Sequence, residues 1–180
     1  MFVDPSGYAT EAEMAAALNA IIMRTFGIIF STFVRVGWTS IRDLPESIKM
    51  LGAIIYAEAA DMSYDAKLVV GWVTRNRVKS SKFSNNTYAD IISQDKQYYA
   101  YNTSMYKNAL SYYESGSWSN SIQKDSMKEC ILVAINVYFG SIADITGGAL
   151  YFHELSSAEK WEHHNEYTLL GKIGGFWVYK

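Results

Sequence analysis

The sequence is poor in the residues that build disulfide-linked and metal-binding domains. It has one cysteine, Cys130, and three histidines among 180 residues. A single cysteine excludes an internal disulfide and lacks the companions that a cysteine-rich zinc site needs. The histidines, His153, His163 and His164, do not have the i, i+4 spacing of helical zinc ligands, and no acidic residue completes a motif such as H-E-x-x-H. We therefore expect no metal, and the sequence indicates no other cofactor.

Charged residues are also few, at 19% of the chain, and neither sign dominates. The 16 Lys and Arg residues against 18 Asp and Glu residues give a net charge of -2. Since proteins that bind nucleic acids usually carry a basic surface, we expect no nucleic-acid partner. Hydrophobic residues make up 49%, which suits a folded domain with a buried core. Aromatic residues, at 15%, fit either that core or a groove that stacks on flat ligands such as sugar rings.

An apolar segment, residues 14–36, dominates the N-terminal part of the chain. Thr10 and Glu13 form a capping box just before it, which predicts the start of a helix. Arg24 lies near its middle, which argues against a transmembrane span, and the acidic start is unlike a signal peptide. We interpret the segment as a buried or partner-covered helix, or as two helices bent near Gly27. Contact with a membrane is the alternative.

Hydrophobic periodicity then predicts a series of short helices. Ile48, Leu51, Ile55 and Ala59 recur at spacings of three and four, and a second helix is expected from Ala66 to Lys79. Further helices are predicted after Thr87, from Met105 to Tyr113, and from Met127 to Phe139 with Asp125 as its cap. Aromatic runs at 149–153 and 176–179 predict two strands that pair. The pattern therefore indicates a mainly helical α+β domain at 46–180 with a short C-terminal β-sheet, after a junction and apolar helical segment at 1–45.

Glu58 is the residue that points most directly to chemistry. It lies seven residues after Leu51 and three after Ile55, so its carboxylate is expected on or beside the apolar face of the helix. A carboxylate there is costly to ionise, and a raised pKa is one response. A carboxylic acid that keeps its proton near neutral pH is what a general acid needs. The structural alternative is a Glu that reaches solvent or pairs with Arg75, Arg77 or Lys79.

Three pieces of sequence occur in an order and spacing that a known family shares. They are I-Y-A-E-A-A around Glu58, V-T-R-N-R-V-K-S-S-K-F from Val73, and G-G-A-L-Y-F-H from Gly147 with a closing I-G-G-F-W-V-Y. Over residues 48–179 the chain resembles the SleB/CwlJ-type cell wall hydrolases. The resemblance implies a fold similar to goose-type lysozymes and lytic transglycosylases, and cleavage of the glycan strands of peptidoglycan. It also implies that Glu58 is the catalytic acid.

The chain departs from this family at three places. The family usually reads A-E-A-R-G-E, whereas this sequence reads A-E-A-A-D-M, with Met62 in place of the second Glu. Phe176 occupies the position of a histidine in the closing piece. The family's G-Q-F piece is only partly matched, at Lys96-Gln97-Tyr98. These differences bear on substrate preference and on the support of Glu58 more than on the reaction class.

The number of carboxylates separates two reactions. Hydrolysis of a glycosidic bond generally uses two carboxylates, whereas a lytic transglycosylase needs one, because the 6-hydroxyl of the muramic acid attacks and an anhydro end forms. Asp61 is the nearest candidate for a second carboxylate and Asp65 the next, but both also fit residues at helix ends. We therefore favour the single-carboxylate mechanism, with Glu58 donating a proton and then accepting one.

Other residues are expected around Glu58. By resemblance, Tyr151 and His153 support the site; the alternative is that they pack in a strand facing the core. Gln97 and Tyr98, with Tyr99, are expected to line a sugar groove or to form an exposed aromatic loop. Asn76 is expected to orient Glu58 across the two helices.

The string V-D-P-S-G-Y at residues 3–8 resembles the motif that closes the repeat core of Rhs-type polymorphic toxins. In that family the variable toxin begins just after this motif. The resemblance implies an antibacterial toxin tip, secreted or delivered to the cell envelope or periplasm, with a cognate immunity protein and no signal peptide in this segment. The rivals are a muramidase or glucosaminidase that hydrolyses with water in a spore or phage context, and a domain that binds peptidoglycan without cutting it.

Overall fold

The structure is a computed structural model. It describes residues 40–83, 87–95, 97–116, 123–154 and 166–180. The span Ser40–Lys180 forms one compact unit. The apolar segment 14–36, the V-D-P-S-G-Y string, Lys96, His163 and His164 lie outside the described residues, so the predictions that rest on them and the division into 1–45 and 46–180 stay predictions.

Five α-helices occur in the described residues, in the order that the periodicity predicts. They are α1 (Glu46–Ala59), α2 (Tyr64–Lys79), α3 (Tyr88–Ser93), α4 (Ser104–Ser115) and α5 (Lys124–Phe139), preceded by a 3-10 turn at Ile41–Asp43. Within this part of the chain, no helix has the length and apolar character to cross a membrane.

Short polar side chains fix where several helices begin. Ser63, Thr87 and Thr103 each accept a hydrogen bond from a main-chain N–H in the first turn of α2, α3 and α4. The cap of α5 differs from the prediction, because its N-cap is Gln123 and makes no side-chain cap bond. Asp125 lies instead inside the first turn, where its negative charge suits the positive end of the helix dipole.

Helix α1 is the centre of the fold. It packs against α2, α3, α4 and α5. Because other helices surround it, every residue from Leu51 to Ala59 is buried except Ala57 and Glu58. The partly exposed positions along this stretch of α1 are therefore Ala57 and Glu58.

A small antiparallel sheet closes the domain. Its strands are β1 (Tyr151–Glu154), β2 (Leu169–Ile173) and β3 (Phe176–Tyr179), in the order β1-β3-β2. The predicted pairing of β1 with β3 is confirmed, with Tyr151 opposite Tyr179. Strand β2 was not predicted, because its residues are largely exposed and do not alternate between polar and apolar types. All three strands contact α2, so the sheet covers the helix that follows α1. A mainly helical α+β domain is thus confirmed.

Candidate active site

Glu58 is the penultimate residue of α1 and is partly exposed. Its Oε1 accepts a hydrogen bond of 2.9 Å from the main-chain N–H of Ala100. Burial raises the pKa of Glu58 above its ordinary value, and the Ala100 bond and the charge of Arg77 oppose that rise without cancelling it. The carboxyl group therefore holds its proton to a higher pH than an exposed Glu does, as a general acid requires.

The three cations that could have neutralised Glu58 are engaged elsewhere or are exposed. The guanidinium of Arg75 lies over the ring of Trp72 at 5.0 Å. Arg77 donates to main-chain carbonyls, and Lys79 is exposed. Among the residues that the structure describes, Glu58 forms no ion pair. The alternative of a Glu paired with Arg75, Arg77 or Lys79 therefore does not describe this site.

The loop between α3 and α4 brings the Ala100 N–H to Glu58. Within it, Tyr98 is only 5% exposed, and its hydroxyl lies 2.6 Å from Thr74 Oγ1. Tyr99, by contrast, is 98% exposed. The prediction that Tyr98 lines a sugar groove is wrong, because its ring is packed into the domain and its hydroxyl is satisfied there. Gln97 reaches the site through its main chain, whose carbonyl accepts a 3.5 Å bond from Arg77.

The two residues expected on β1 have different surroundings. The ring of Tyr151 lies 4.2 Å from that of Tyr167 and 5.6 Å from the guanidinium carbon of Arg77. His153 stacks on Tyr179 at 5.5 Å, with its Nε2 3.1 Å from the Tyr179 hydroxyl. Tyr151 thus contacts Arg77, the cation whose charge acts on Glu58, whereas these contacts of His153 are those of a residue packed against the sheet.

Asn76 supports a different part of the fold from the one predicted. Its Nδ2 lies 3.0 Å from Asp144 Oδ2, 3.3 Å from Thr146 Oγ1 and 3.2 Å from the Ala149 carbonyl. The two N–H bonds of this amide nitrogen are already shared among three acceptors, so the nitrogen has no hydrogen left to donate to Glu58. Asp144 is partly buried, which raises its pKa, but bonds from Thr146, Asn76 and the Gly148 N–H outweigh burial and lower it. Asn76 therefore braces the loop that leads into β1 and does not orient Glu58.

The two candidates for a second carboxylate are both exposed. Asp61 Oδ1 accepts a 2.7 Å bond from the Gln123 side chain, and Asp65 lies in the first turn of α2. Met62, which stands where the family has its second Glu, is partly buried against Gly175. In the described ranges, no group of three His, Cys, Asp or Glu residues is placed to hold a metal.

Two contributors to the site were not predicted as such. The sequence offers no signal for Ala100, since its contribution is a main-chain N–H. The helical period could have singled out Arg77 as an inward-facing cation, because it lies seven residues after Val70 and four after Val73, both buried.

Two solved structures share this fold. The catalytic domain of the germination-specific lytic transglycosylase SleB from Bacillus anthracis matches with a TM-score of 0.52 and 23% identity, over 77% of this chain and 98% of that domain. The catalytic domain of the SleB protein from Bacillus cereus matches with a TM-score of 0.51 and 22% identity, over 76% of this chain and 95% of that domain. At these identities the similarity is one of fold, and it confirms the predicted fold class.

No curated protein gives a significant match to the sequence. The sequence model of the Cell Wall Hydrolase family matches residues 61–179, well over half of the chain. The match begins three residues after Glu58, so it carries no statement about that residue. It confirms the resemblance read from the motifs and the expectation of an enzyme, and we conclude that the chain belongs to the cell wall hydrolase family.

Proposed function

We propose that this chain cleaves the glycan strands of peptidoglycan as a lytic transglycosylase, with Glu58 as its single catalytic carboxylate. The observation that carries the proposal is the setting of Glu58, which is partly exposed, with Ala57, in the otherwise buried half of α1 and accepts a hydrogen bond from the Ala100 N–H. Membership of the cell wall hydrolase family supports the substrate. The structural relatives, which are described as lytic transglycosylase and SleB catalytic domains, support the reaction type.

The hydrogen bond to Ala100 assigns a role to each carboxyl oxygen. Because Oε1 accepts the Ala100 N–H, Oε2 is the oxygen that carries the transferable proton. In the first step Oε2 protonates the glycosidic oxygen as its bond to C1 breaks, which leaves an oxocarbenium-like sugar. In the second step the 6-hydroxyl oxygen of the same muramic acid bonds to C1 and its proton passes to Glu58. The proton is regained, no water is consumed, and a 1,6-anhydro end forms.

Hydrolysis by two carboxylates is the rival reaction, and the exposed aspartates do not favour it. A second carboxylate acts as nucleophile or as the base that activates water, at a defined distance across the scissile bond. Asp61 is held by Gln123 at the surface, and an uncharged Met62 fills the position of the family's second Glu. A single acid that reverses its role is therefore the better supported mechanism.

Product analysis in heavy-oxygen water tests this proposal. Purified sacculi are digested in H2(18)O, and the soluble muropeptides are read by mass spectrometry. We expect anhydro-muramic ends without heavy oxygen, because the attacking oxygen belongs to the sugar. Reducing ends that carry heavy oxygen would assign hydrolysis and direct the search for a base to Asp61. Sedimentation of the protein with sacculi and no released glycan would identify a binding domain instead.

Tyr99 is the aromatic residue that we propose as the sugar platform beside Glu58. Its ring is 98% exposed, and the next residue, Ala100, binds the catalytic carboxyl group. Loss of one sugar–ring stacking contact of about 0.5–1.5 kcal/mol predicts that Tyr99→Ala raises KM by about 2–10-fold with little change in kcat. Steady-state kinetics on soluble glycan fragments measures both values.

Phe139→Ala is the matched control for Tyr99→Ala. It also removes an exposed aromatic residue, 46% exposed, but at the end of α5. An equal rise of KM in both variants, or an unchanged KM in Tyr99→Ala, would contradict the platform.

We further propose that the chain acts in the cell envelope as the toxin tip of an Rhs-type protein and that an immunity protein protects the producer. The resemblance at residues 3–8 supports this, together with the family's substrate. Export of the chain to the periplasm is then toxic, and a protein encoded beside it relieves the toxicity. Harmless export of an active enzyme would contradict the toxin proposal while leaving the reaction in place.

A further inference from the structure

Arg77 holds a fixed positive charge in the interior of the domain. Arg77 is only 3% exposed, and a guanidinium group does not lose its proton in proteins. Nε donates to the Leu150 carbonyl at 2.6 Å, and Nη1 donates to the Gln97 carbonyl at 3.5 Å. These two bonds connect the residue before β1 to the loop that presents the Ala100 N–H.

Three aromatic rings enclose this charge. The guanidinium carbon lies 4.9 Å from the ring centre of Tyr98, 5.6 Å from that of Tyr151 and 5.7 Å from that of Phe83. Cation–π contacts of this kind stabilise a guanidinium that has left water. They also exclude solvent around it, and a charge acts more strongly on its neighbours where the local dielectric constant is low.

A buried charge normally has an opposite charge beside it, but among the described residues Arg77 has none. In the part of the chain that the structure describes, no carboxylate lies within ion-pairing distance of its guanidinium. The carboxyl group that responds to its charge is Glu58, on the neighbouring helix α1. Burial raises the pKa of Glu58 and the charge of Arg77 works against that rise.

Among the described residues, the other ionisable groups that act on this pair are two neutral phenols. Tyr98 comes from the loop after α3 and is coupled to both Glu58 and Arg77, and Tyr151 comes from β1 and faces Arg77. Burial raises the pKa of both phenols, so neither is charged at neutral pH. Among the described residues, Arg77 is therefore the charged group that acts on Glu58 from the elements packed against α1.

We propose that Arg77 is a positioning residue for the reaction: it fixes the loop whose Ala100 N–H binds Glu58, and its charge stabilises the Glu58 carboxylate that exists between the two proton transfers. This inference rests on the proposed function of Glu58. After the first transfer Glu58 is anionic in a partly dry site, and an anion without compensation there would hold back proton release. A cation at a distance, without a direct salt bridge, stabilises that anion yet leaves Oε2 free to take up the second proton.

The test measures the ionisation of Glu58 directly. Side-chain carboxyl carbons are labelled with (13)C, the Glu58 signal is assigned by its loss in Glu58→Gln, and its pKa is followed by NMR titration. We expect the pKa of Glu58 to rise in Arg77→Met, because the opposing charge is gone, and to stay near the wild-type value in Arg77→Lys. The alkaline limb of the pH profile of kcat moves in the same direction in Arg77→Met, since a general acid with a higher pKa keeps its proton longer.

Matched variants separate this role from a merely structural one. Arg75→Met removes a charge from the same helix, but the Arg75 guanidinium lies over Trp72, and we expect the pKa of Glu58 to stay near its wild-type value in this variant. If Arg77→Met does not fold, Arg77→Gln replaces it, because its amide still donates to the Leu150 carbonyl without a charge.

An unchanged Glu58 pKa in the folded neutral variant would overturn the inference and leave Glu58 as the acid. A shifted Glu58 pKa in an enzyme whose activity survives Glu58→Gln would keep the coupling and overturn the proposed function.

Discussion

Glu58→Gln is expected to reduce glycan release from sacculi by about 10²–10⁴-fold, the usual contribution of a positioned general acid. The amide cannot donate the acidic proton to the glycosidic oxygen. Its oxygen still accepts the Ala100 N–H, so the loop should keep its place. Release is measured as the rate of solubilisation of labelled peptidoglycan at matched protein concentration.

Two further variants make this result specific. Asp61→Asn changes an exposed carboxylate three residues away and is expected to keep near-wild-type activity under the single-carboxylate mechanism. Glu58→Asp keeps a carboxyl group but withdraws it by one methylene, so we expect a partial loss. Activity of Glu58→Gln within a few-fold of wild type would remove Glu58 from the mechanism, and a large loss in Asp61→Asn would favour hydrolysis.

Glu58→Gln should also increase the stability of the folded protein at neutral pH. Burial raises the pKa of Glu58 in the folded state above its value in the unfolded chain. As the pH rises, Glu58 therefore loses its proton in the unfolded chain before it does so in the folded protein. The folded state then loses stability as pH rises from the unfolded pKa to the folded pKa. Gln has no such cost. The free energy of unfolding of Glu58→Gln should exceed that of wild type at pH 7. The difference should shrink as the pH falls from the folded pKa toward about 4, the ordinary pKa of a Glu, and should be absent below it.

Gly52→Ala is the second substitution with a large expected effect. Gly52 lies in α1 where the helix meets the ring of Tyr113 in α4, and a methyl group there would overlap the tyrosine hydroxyl and lie 3.1 Å from Cζ. Tyr113 is fully buried, so its ring has no free space to move into. Overpacking of this kind costs about 1–3 kcal/mol, which exceeds the gain of about 1 kcal/mol from replacing a helical Gly with Ala. Chemical denaturation should show the loss.

Gly71→Ala is the matched helical control. A methyl group on Gly71 would meet flexible methyl groups of Val137, Ile55 and Val133 at 3.2–3.3 Å, a milder contact. We therefore expect a change within about 1 kcal/mol there, since the helical gain offsets the crowding.

The double variant Gly52→Ala/Tyr113→Phe should recover much of the loss. Removing the hydroxyl removes the overlap, and among the described residues that hydroxyl has no hydrogen-bond partner to lose. A double variant no more stable than Gly52→Ala would show that the ring itself, and not its hydroxyl, limits the space.

Local sequence patterns were enough to predict the helices and two of the three strands. The helices follow from apolar spacing, and their starts at Ser63, Thr87 and Thr103 follow from short polar side chains that satisfy the first N–H groups of a helix. The two aromatic runs in the C-terminal part of the chain form β1 and β3, as their strand propensity predicts, and these strands pair. Strand β2 was not predicted because a largely exposed strand shows no alternation of polar and apolar residues. It forms through main-chain pairing with β3.

The active site could be predicted only in part from the sequence. The position of Glu58 beside an apolar stripe is set by the helical period, and family motifs around it indicate the substrate, so both can be read from the sequence alone. The partners of Glu58 cannot, because the Ala100 N–H and the Arg77 charge come from segments 42 and 19 residues away. The burial of Tyr98 and the engagement of Asn76 by Asp144 were likewise decided by tertiary packing. A sequence specifies which side chains exist and which face of an element they occupy, whereas the desolvation and field that make a carboxyl group an acid depend on what other elements bring against that face.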